Sequence, residues 1–526
     1  MPVKTLSQEL LDDLKFWESK KIELPGYDRK NIHVRIISFS PGRMGFGHLG
    51  DIMQDILDLG EYDGLIAGIE TYSQEYYNGM AAADWLAAQM IFENEKDKVT
   101  PRIQGAFGKM LFLGGKSDTL AWNRFRDFAR NPSVQFATIN APENAYGMTY
   151  SGGDFAEPSS ETVKSDMMNG TFDSDAAKWT AFALERYNAG LKFAIASCTN
   201  YSKNGFMTGA TVRTIARAWE KAGFAPKGFV DYLSDPMRFS FPNSMVDRIA
   251  VAPDEKTFSA LESLGINSTV IATERTRYWA LEDSFPGGRP PLEKAEGVFM
   301  CENFDEVKKY EDMKLRILNM AHSTIAGLGV LLGYRGKYAI YKAMQDAELV
   351  KLIRKIIEIV IEVIEPPKNL SPKQFAEDTI VRLNNPNIPD DPMRIAFNAS
   401  TKMLPRFMDT YFAAREKGIP VKRLEAILLP VAGFLRYTLG IDDAGEKFSL
   451  ESDPLKDLMV ECGAKAAIGA PESAKAFSPL ISNESVMGKD LYNYGETGRN
   501  LEALAGSLLK RPGAVRAEVD RCANKS

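Results

Sequence analysis

The spacing of apolar residues changes near Glu302, and this change limits the folds open to the chain. Before it, short apolar runs typical of buried strands alternate with amphipathic segments, as in 64-GLIAGIE-70, 134-VQFATIN-140 and 192-KFAIASC-198. Beyond it the period is helical, which predicts helices at about 304–332, 338–347, 349–365, 397–417 and 421–439. We predict an α/β domain with a mostly parallel, Rossmann-like sheet over 1–300, including an N-terminal helical extension, and an all-α domain over 301–526.

Composition excludes several classes of function. The formal net charge is -6 and the pI is about 5.5, so no overall basic field favours nucleic acid. The 4 cysteines lie far apart without a CxxC pair, which argues against a disulfide framework and a structural zinc site. With only 3 histidines, an HExxH-type metal site is excluded, although an all-carboxylate site is not, and we expect no metal.

Two further segments bear on location. The N-terminal segment is charged throughout and lacks the apolar core of a secretory signal. Charged residues interrupt 352-LIRKIIEIVIEVIEPP-367, which therefore predicts an amphipathic helix rather than a membrane span. We expect a cytoplasmic monomer or small homo-oligomer that acts on a small molecule and binds neither membrane nor nucleic acid.

A glycine-rich turn follows the first strand of the α/β region. Ser40, Pro41, Gly42, Arg43 and Met44 lie between strand 34–39 and a helix, where backbone N–H groups suit a pyrophosphate. The GxGxxG spacing is not met, so an ordinary turn is the alternative. Glu70 ends the next strand, where a carboxylate binds a ribose hydroxyl, and 70-ETYSQEYYNGM-80 contains no Lys or Arg for a 2'-phosphate. The pattern favours NAD over NADP, although NADP remains possible.

Polar residues interrupt the apolar helix 313-MKLRILNMAHSTIAGLG-329. At the α-helical rotation of about 100° per residue, Asn319 lies about 140° and His322 about 80° around from Lys314, so all three share one arc. A lysine removed from water loses basicity and can serve as a general base, and two neighbouring donors can stabilise the oxygen it deprotonates. The structural alternative is a lysine that extends to the surface and an asparagine that caps a buried group.

The same segment resembles the signature of the long-chain mannitol dehydrogenase family, in which Lys, Asn and His recur at this spacing. The resemblance runs from about residue 32 to 460. Other similar blocks are 138-TINAPENAY-146, 195-IASCTNYSKNG-205, 241-FPNSMVDRI-249, 394-RIAFNASTKMLPR-406 and 434-FLRYTLGIDDAG-445. The chain departs from the family pattern in its glycine-rich turn and at Thr199. It also carries a polar segment, 148–178, that we expect to be a lid or surface excursion.

The resemblance implies zinc-independent, NAD(P)-dependent oxidation of a secondary hydroxyl. Lys314 would be the general base, and Asn319 and His322 would hold the reacting oxygen. The matching blocks place Asn200, Asp247, Arg394 and Lys402 at the substrate, although Asp247 could equally brace Arg248. Glu143 and Glu311 are candidates for relaying the proton to solvent, with ordinary solvated or helix-terminal acids as the alternative.

Three functions remain open at this point. Because Arg394 and Lys402 suit a carboxylate, the first is interconversion of a keto-uronate and an aldonate, of the fructuronate/mannonate type. The same cations can bind hydroxyls, so a mannitol 2-dehydrogenase or another hexitol or pentitol dehydrogenase is the second. The altered glycine turn suggests the third, a non-catalytic regulator that binds a dinucleotide.

Overall fold

The computed structural model describes residues 3–114 and 119–525. It divides into two compact units, Met1–Glu93 with Val99–Lys308, and Asn94–Lys98 with Lys309–Ser526. The first unit continues past residue 300. Val298–Cys301 pairs with Tyr278–Glu282 in a sheet, and the ring of Phe304 packs edge-on against Phe206 at 5.7 Å between centroids.

The first unit is built on a six-stranded parallel sheet. Its strands in chain order are β1 (His33–Phe39), β2 (Gly64–Glu70), β3 (Phe107–Phe112), β4 (Phe136–Ile139), β5 (Phe193–Ser197) and β6 (Phe239–Ser240). In space the order is β6-β5-β4-β1-β2-β3. The first three strands run outward from β1 on one side and the next three on the other, which is the order of a dinucleotide-binding sheet.

Side chains alternate between the two faces of this sheet. Ile37 packs with Phe125 and Phe182 in one buried layer, whereas its neighbour Ile36 packs with Ile52 and Leu281 in the other. The longer helices of the unit are Asp51–Asp58, Gln74–Ala82, Thr119–Arg130, Glu161–Asn169, Asp175–Asn188, Asn204–Ala222 and Glu255–Ser263. The predicted N-terminal helix is instead a strand, Lys4–Thr5, and two short helices, Gln8–Asp12 and Leu14–Trp17.

Smaller sheets complete the first unit. One has four strands, in the order Ala250–Val251, Val270–Glu274, Ala87–Phe92 and Val99–Gln104. Another has three strands, in the order Ser244–Asp247, Tyr278–Glu282 and Val298–Cys301. Segment 148–178, which we expected to be a lid or surface excursion, forms the hairpin Met148–Thr149/Glu157–Pro158 and the helix Glu161–Asn169. The buried Asp166 accepts four hydrogen bonds, two of them from Ser174 at 2.8 and 2.6 Å, and these fix the segment.

In the described part of the second unit, regular structure is helical. The predicted helix 349–365 is observed as Ala347–Val363, capped by Asp346, with Leu349, Leu352, Ile353 and Ile356 along its buried face. The other longer helices are Pro372–Leu383, Asp409–Glu416, Val421–Tyr437, Lys456–Lys465, Thr497–Leu509 and Ala514–Asn524. Among the described residues, no helix is long and apolar enough to cross a membrane. The predicted fold class, a parallel-sheet domain followed by a helical one, is confirmed.

Candidate functional site

The glycine-rich turn of the first unit leads into one continuous helical run. Gly42–Met44 is α-helical, Gly45–Gly50 is a π-helix and Asp51–Asp58 is again α-helical. Ser40 and Gly42 have φ angles of 49° and 43°, and a Cβ added at Gly42 would meet nothing within 4 Å. A Cβ at Gly45 would instead lie 2.6 Å from the Cβ of Pro41. The turn is therefore closely packed at Gly45 and has open space next to Gly42, as a bound pyrophosphate requires.

Glu70 closes this region at the end of β2. Its Oε1 accepts hydrogen bonds from the backbone N–H groups of Tyr72 at 2.8 Å and Ser73 at 3.0 Å, which fix a carboxylate that is only 5% exposed. In the helix that follows, the hydroxyl of Tyr76 donates to the carbonyl of Gly42 in the turn at 3.3 Å. Oε2 makes no hydrogen bond with a described protein residue, so it can accept one from a ribose hydroxyl. Glu70 and the turn fit a dinucleotide.

A buried ionic cluster, which the sequence did not reveal, supports the same turn. Asp51 begins the last α-helical part of this run, and its carboxylate binds the guanidinium groups of Arg102 at 2.7 Å, Arg248 and Arg277. Burial would raise the pKa of Asp51, but the three arginines hold it well below its usual range. Nearby His48 is completely buried, and burial lowers its pKa to about 3. Arg248 binds Asp51 and also donates to the backbone carbonyl of Glu274 at 2.8 Å.

The other predicted residues of the first unit occupy different environments. Asn200 is exposed on the loop after β5, and Asp247 is 1% exposed at the end of the strand Ser244–Asp247. Glu143 is exposed at the start of a short 3-10 helix. The sequence missed Asn204, whose buried amide bridges these segments by donating to the carbonyls of Ser197, Thr199 and Ser244 at 3.0, 3.0 and 2.8 Å.

In the second unit, the Lys/Asn/His segment is not a regular α-helix. Lys314–Asn319 is a π-helix, in which the N–H of Met320 bonds to the carbonyl of Leu315, and α-helical geometry resumes over Met320–Thr324. A π turn bonds residue i to i+5, so it brings Lys314 and Asn319 onto the same side of the helix. The separation of about 140° expected for an α-helix is therefore wrong. The three residues share a narrower arc than the sequence predicted.

Lys314 and His322 are 7% and 6% exposed, and Asn319 is half-buried. Burial lowers the pKa of His322 to about 3, and the cations Arg394, Arg406 and Arg382 act in the same direction, while Asp390 opposes them. The imidazole is thus neutral at pH 7. Its Nε2 is buried and has no hydrogen-bond partner among the described residues, so it is available to a ligand.

Asp390, which the sequence missed, connects His322 to Arg394. One of its carboxylate oxygens lies 3.9 Å from the Nε2 of His322, and the pair of oxygens binds Nε and Nη2 of Arg394 at 2.9 and 2.8 Å. The side chain of Arg394 is still 56% exposed, and its Nη1 makes no hydrogen bond with a described protein residue. Arg394 can therefore contact a ligand while its guanidinium group stays bound to Asp390.

Lys402 and Arg406 each hold a segment of the second unit through hydrogen bonds. Lys402 donates to the carbonyls of Ile395 at 2.8 Å and Phe397 at 2.5 Å, while Arg406 donates to the carbonyl of Asn319 at 3.1 Å and to Ser323 at 2.8 Å. Lys402 also lines a small cavity of the second unit, together with Ser323, Ala326, Gly327, Ile395, Ala396, Ala399, Met403, Pro430, Phe434 and Tyr437. Glu311 is 7% exposed, one helical turn before Lys314. No group of three or more His, Cys, Asp or Glu among the described residues could hold a metal ion.

Comparison with known proteins identifies the family. The Mannitol dehydrogenase C-terminal domain matches residues 306–501. The chain is 31% identical to a D-mannonate oxidoreductase of Thermotoga maritima, over 98% of both chains. The chain belongs to the mannitol dehydrogenase family. It is therefore an oxidoreductase, and the family predicted from the Lys314, Asn319 and His322 pattern is confirmed.

Other relatives are similar over most of their length. A mannitol 2-dehydrogenase of Aspergillus fumigatus is 26% identical over 90% of each chain. The solved ternary complex of Pseudomonas fluorescens mannitol 2-dehydrogenase with NAD and D-mannitol matches with a TM-score of 0.80 and 22% identity, over 99% of this chain and 100% of that one. A substrate-free D-sorbitol dehydrogenase matches with a TM-score of 0.81 and 22% identity over the same shares. These structures support the fold.

Proposed function

We propose that this family member interconverts a sugar-acid ketone and its secondary alcohol, of the D-fructuronate/D-mannonate type, with NAD as the hydride carrier. The similarity to a D-mannonate oxidoreductase over 98% of both chains carries the choice of substrate. The partly exposed guanidinium of Arg394, held by Asp390, supports it as a partner for the substrate carboxylate. Mannitol and fructose are the alternative pair, supported by the mannitol 2-dehydrogenases among the relatives.

NAD accepts or returns hydride at its nicotinamide ring when bound. We assign its phosphates to the turn of Ser40, Pro41, Gly42, Arg43 and Met44. Glu70 would bind its ribose, and because a carboxylate repels a 2'-phosphate, NAD is favoured over NADP. The four cysteines are buried free thiols, which fits a cytoplasmic location.

The chemical roles follow from burial and charge. Lys314 would take the hydroxyl proton as general base, since it is the buried amine at the start of the π turn. The neutral His322 and the amide of Asn319 would donate hydrogen bonds to the oxygen as its charge changes. Lys402 would assist in binding the substrate. Asn200, Asp247, Glu143 and Glu311 keep their predicted roles in substrate binding and proton relay as part of this proposal.

Absorbance at 340 nm tests the proposal directly. The protein is mixed with NADH or NADPH and fructuronate or fructose, and with NAD or NADP and mannonate or mannitol. Turnover of fructuronate and mannonate with NAD(H) is expected. Turnover of mannitol and fructose alone would reject the sugar-acid substrate in favour of a hexitol dehydrogenase.

A lysine variant separates catalysis from binding. Lys314→Ala should lower kcat about 10²–10⁴-fold, the range that general bases contribute, while NADH affinity is kept. The matched control is Lys337→Ala, which removes an exposed lysine of the same unit and should leave kcat unchanged. Unaltered turnover in Lys314→Ala would contradict the assigned base. NADH binding without turnover in the unmodified protein would favour a regulator.

A further inference from the structure

The carboxyl end of β4 carries a polar side chain, Asn140, to which neither the sequence nor the family comparison assigned a role. β1 and β4 are neighbours at the point where the strand order of the sheet reverses. Ligands of open α/β sheets bind in the crevice beyond the strand ends at such a point. Asn140 follows β4 directly, and its backbone N–H donates to the carbonyl of Phe39 at the end of β1 at 3.1 Å. It therefore lies at the centre of this crevice.

The amide nitrogen of the Asn140 side chain is hydrogen-bonded, whereas its amide oxygen is not. Its Nδ2 donates to the hydroxyls of Ser38 at 3.0 Å and Thr138 at 3.4 Å. Its Oδ1 is buried and has no hydrogen-bond partner in the part of the chain that the structure describes. A Cβ added at Gly45 would lie 3.5 Å from Nδ2, so the amide borders the glycine-rich turn. Buried amide oxygens without a donor are uncommon and disfavour the unliganded fold, which points to a donor supplied from outside the chain.

The chemistry of a dinucleotide narrows the identity of that donor. Glu70 ends β2 on one side of β1, and Asn140 follows β4 on the other side. With the adenosine ribose at Glu70 and the pyrophosphate on the turn after β1, the nicotinamide half extends towards β4. The pyrophosphate offers only acceptors at neutral pH, whereas the nicotinamide riboside offers ribose hydroxyls and a carboxamide N–H as donors. The missing donor therefore belongs to the nicotinamide side.

We propose that Oδ1 of Asn140 accepts a hydrogen bond from the nicotinamide riboside half of bound NAD(H). The proposal rests on the proposed use of NAD and adds a residue that recognises one half of the cofactor. Asn140 would be a cofactor-binding residue of the reaction, since its free oxygen meets the half that exchanges hydride.

Equilibrium titration of the full-length protein with NADH, ADP-ribose and ADP tests this assignment. Asn140→Ala should weaken NADH about five- to tenfold, the value of one hydrogen bond, and leave ADP unchanged. An equal loss for ADP-ribose, which keeps the second ribose, would identify a ribose hydroxyl as the donor. A loss restricted to NADH would identify the carboxamide.

Two further variants complete the test. Asn140→Ser keeps a polar partner for Ser38 but cannot reach the position of Oδ1, so it should show the same selective loss even where the alanine variant folds poorly. Asn144→Ala removes an exposed amide of the next helix and should bind all three ligands normally. Unchanged NADH affinity in Asn140→Ser, or an equal loss for ADP, would overturn the assignment. An unmodified protein that binds none of the three would instead refute the proposed use of NAD.

Discussion

Asp51→Asn should destabilise the first unit strongly, because it removes a carboxylate that is shared by three arginines with little solvent exposure. The side chain of Asp51 is 3% exposed, and those of Arg248, Arg277 and Arg102 are 1%, 10% and 10% exposed. Arg277 and Arg102 also bind Asp55, so they keep a carboxylate after the substitution. Arg248 keeps neutral partners, a hydroxyl and a carbonyl.

The cost is therefore that of one buried cation left without its anion, about 3–5 kcal/mol, and not a multiple of it. For a domain of this size, such a loss lowers Tm by about 6–20 °C. Differential scanning calorimetry measures the shift. Asp58→Asn is the matched control: Asp58 lies 3.4 Å from Arg102 with a side chain that is 28% exposed, so the expected loss is about 1 kcal/mol or less.

The destabilisation caused by Asp51→Asn should become smaller as the pH falls. The pKa of Asp51 is lower in the folded chain than the unfolded value of about 3.9, so its contribution is complete above that pH and is lost as pH falls below it. The Tm difference between Asp51→Asn and the unmodified protein should be constant near neutrality and narrow below about pH 4. Equal shifts in the Asp51 and Asp58 variants, or a difference that widens in acid, would refute this account.

Substitutions at three further positions test the proposed site. Because the pKa of His322 is lowered to about 3, the pH profile of kcat/KM should show no step from this residue near pH 6.5. His322→Asn, which keeps a hydrogen-bond donor, should retain more activity than His322→Ala. A step near pH 6.5 that disappears in His322→Asn would contradict a neutral imidazole. Asp390→Asn should raise KM for mannonate about tenfold with a smaller effect on mannitol, because Arg394 loses its bidentate support; equal effects in steady-state assays would argue against carboxylate binding by Arg394. Glu70→Ala should weaken NADH about tenfold in a fluorescence titration, whereas Glu75→Ala, which removes an exposed acid nearby, should not; unchanged affinity would exclude Glu70 from the cofactor site.

The sequence predicted the sheet well because its strands are buried on both faces. The predicted strand 64–70 is observed as Gly64–Glu70, with every residue buried, so a continuous apolar run marked its length. The helical period of 210-ATVRTIARAWEKAG-223 predicts a helix there, but the observed helix Asn204–Ala222 begins earlier, because its first turn contains Asn204 and Gly205, which resemble a loop. Local composition therefore located elements more accurately than it located their ends.

The contacts that complete the site could not be read from local patterns. Asp390 lies in 384-NNPNIPDDP-392, which has the composition of a turn, and its partner His322 is distant in sequence. Asp51 is separated from Arg248 by 197 residues and from Arg277 by 226 residues. The π turn at Lys314 was not predicted, because a rotation of about 100° per residue assumes the i to i+4 hydrogen bonds of an α-helix. A π turn has i to i+5 hydrogen bonds and therefore a different rotation. The signal available in the sequence was the presence of Lys314, Asn319 and His322 within an otherwise apolar helix.

The charges around His322 bear on how the proposed chemistry divides between residues. Burial and the cations Arg394, Arg406 and Arg382 all lower the pKa of the imidazole, and Asp390 only partly offsets them. An imidazole with a pKa of about 3 takes up almost no proton at pH 7, and the one N–H that it keeps is too weak an acid to be released, but this N–H can hold the reacting oxygen through a hydrogen bond. Proton transfer must then fall to another group, and Lys314 enters the same arc through the π turn. In the proposed reaction, therefore, the helix assigns proton transfer to Lys314 and polarisation of the oxygen to His322.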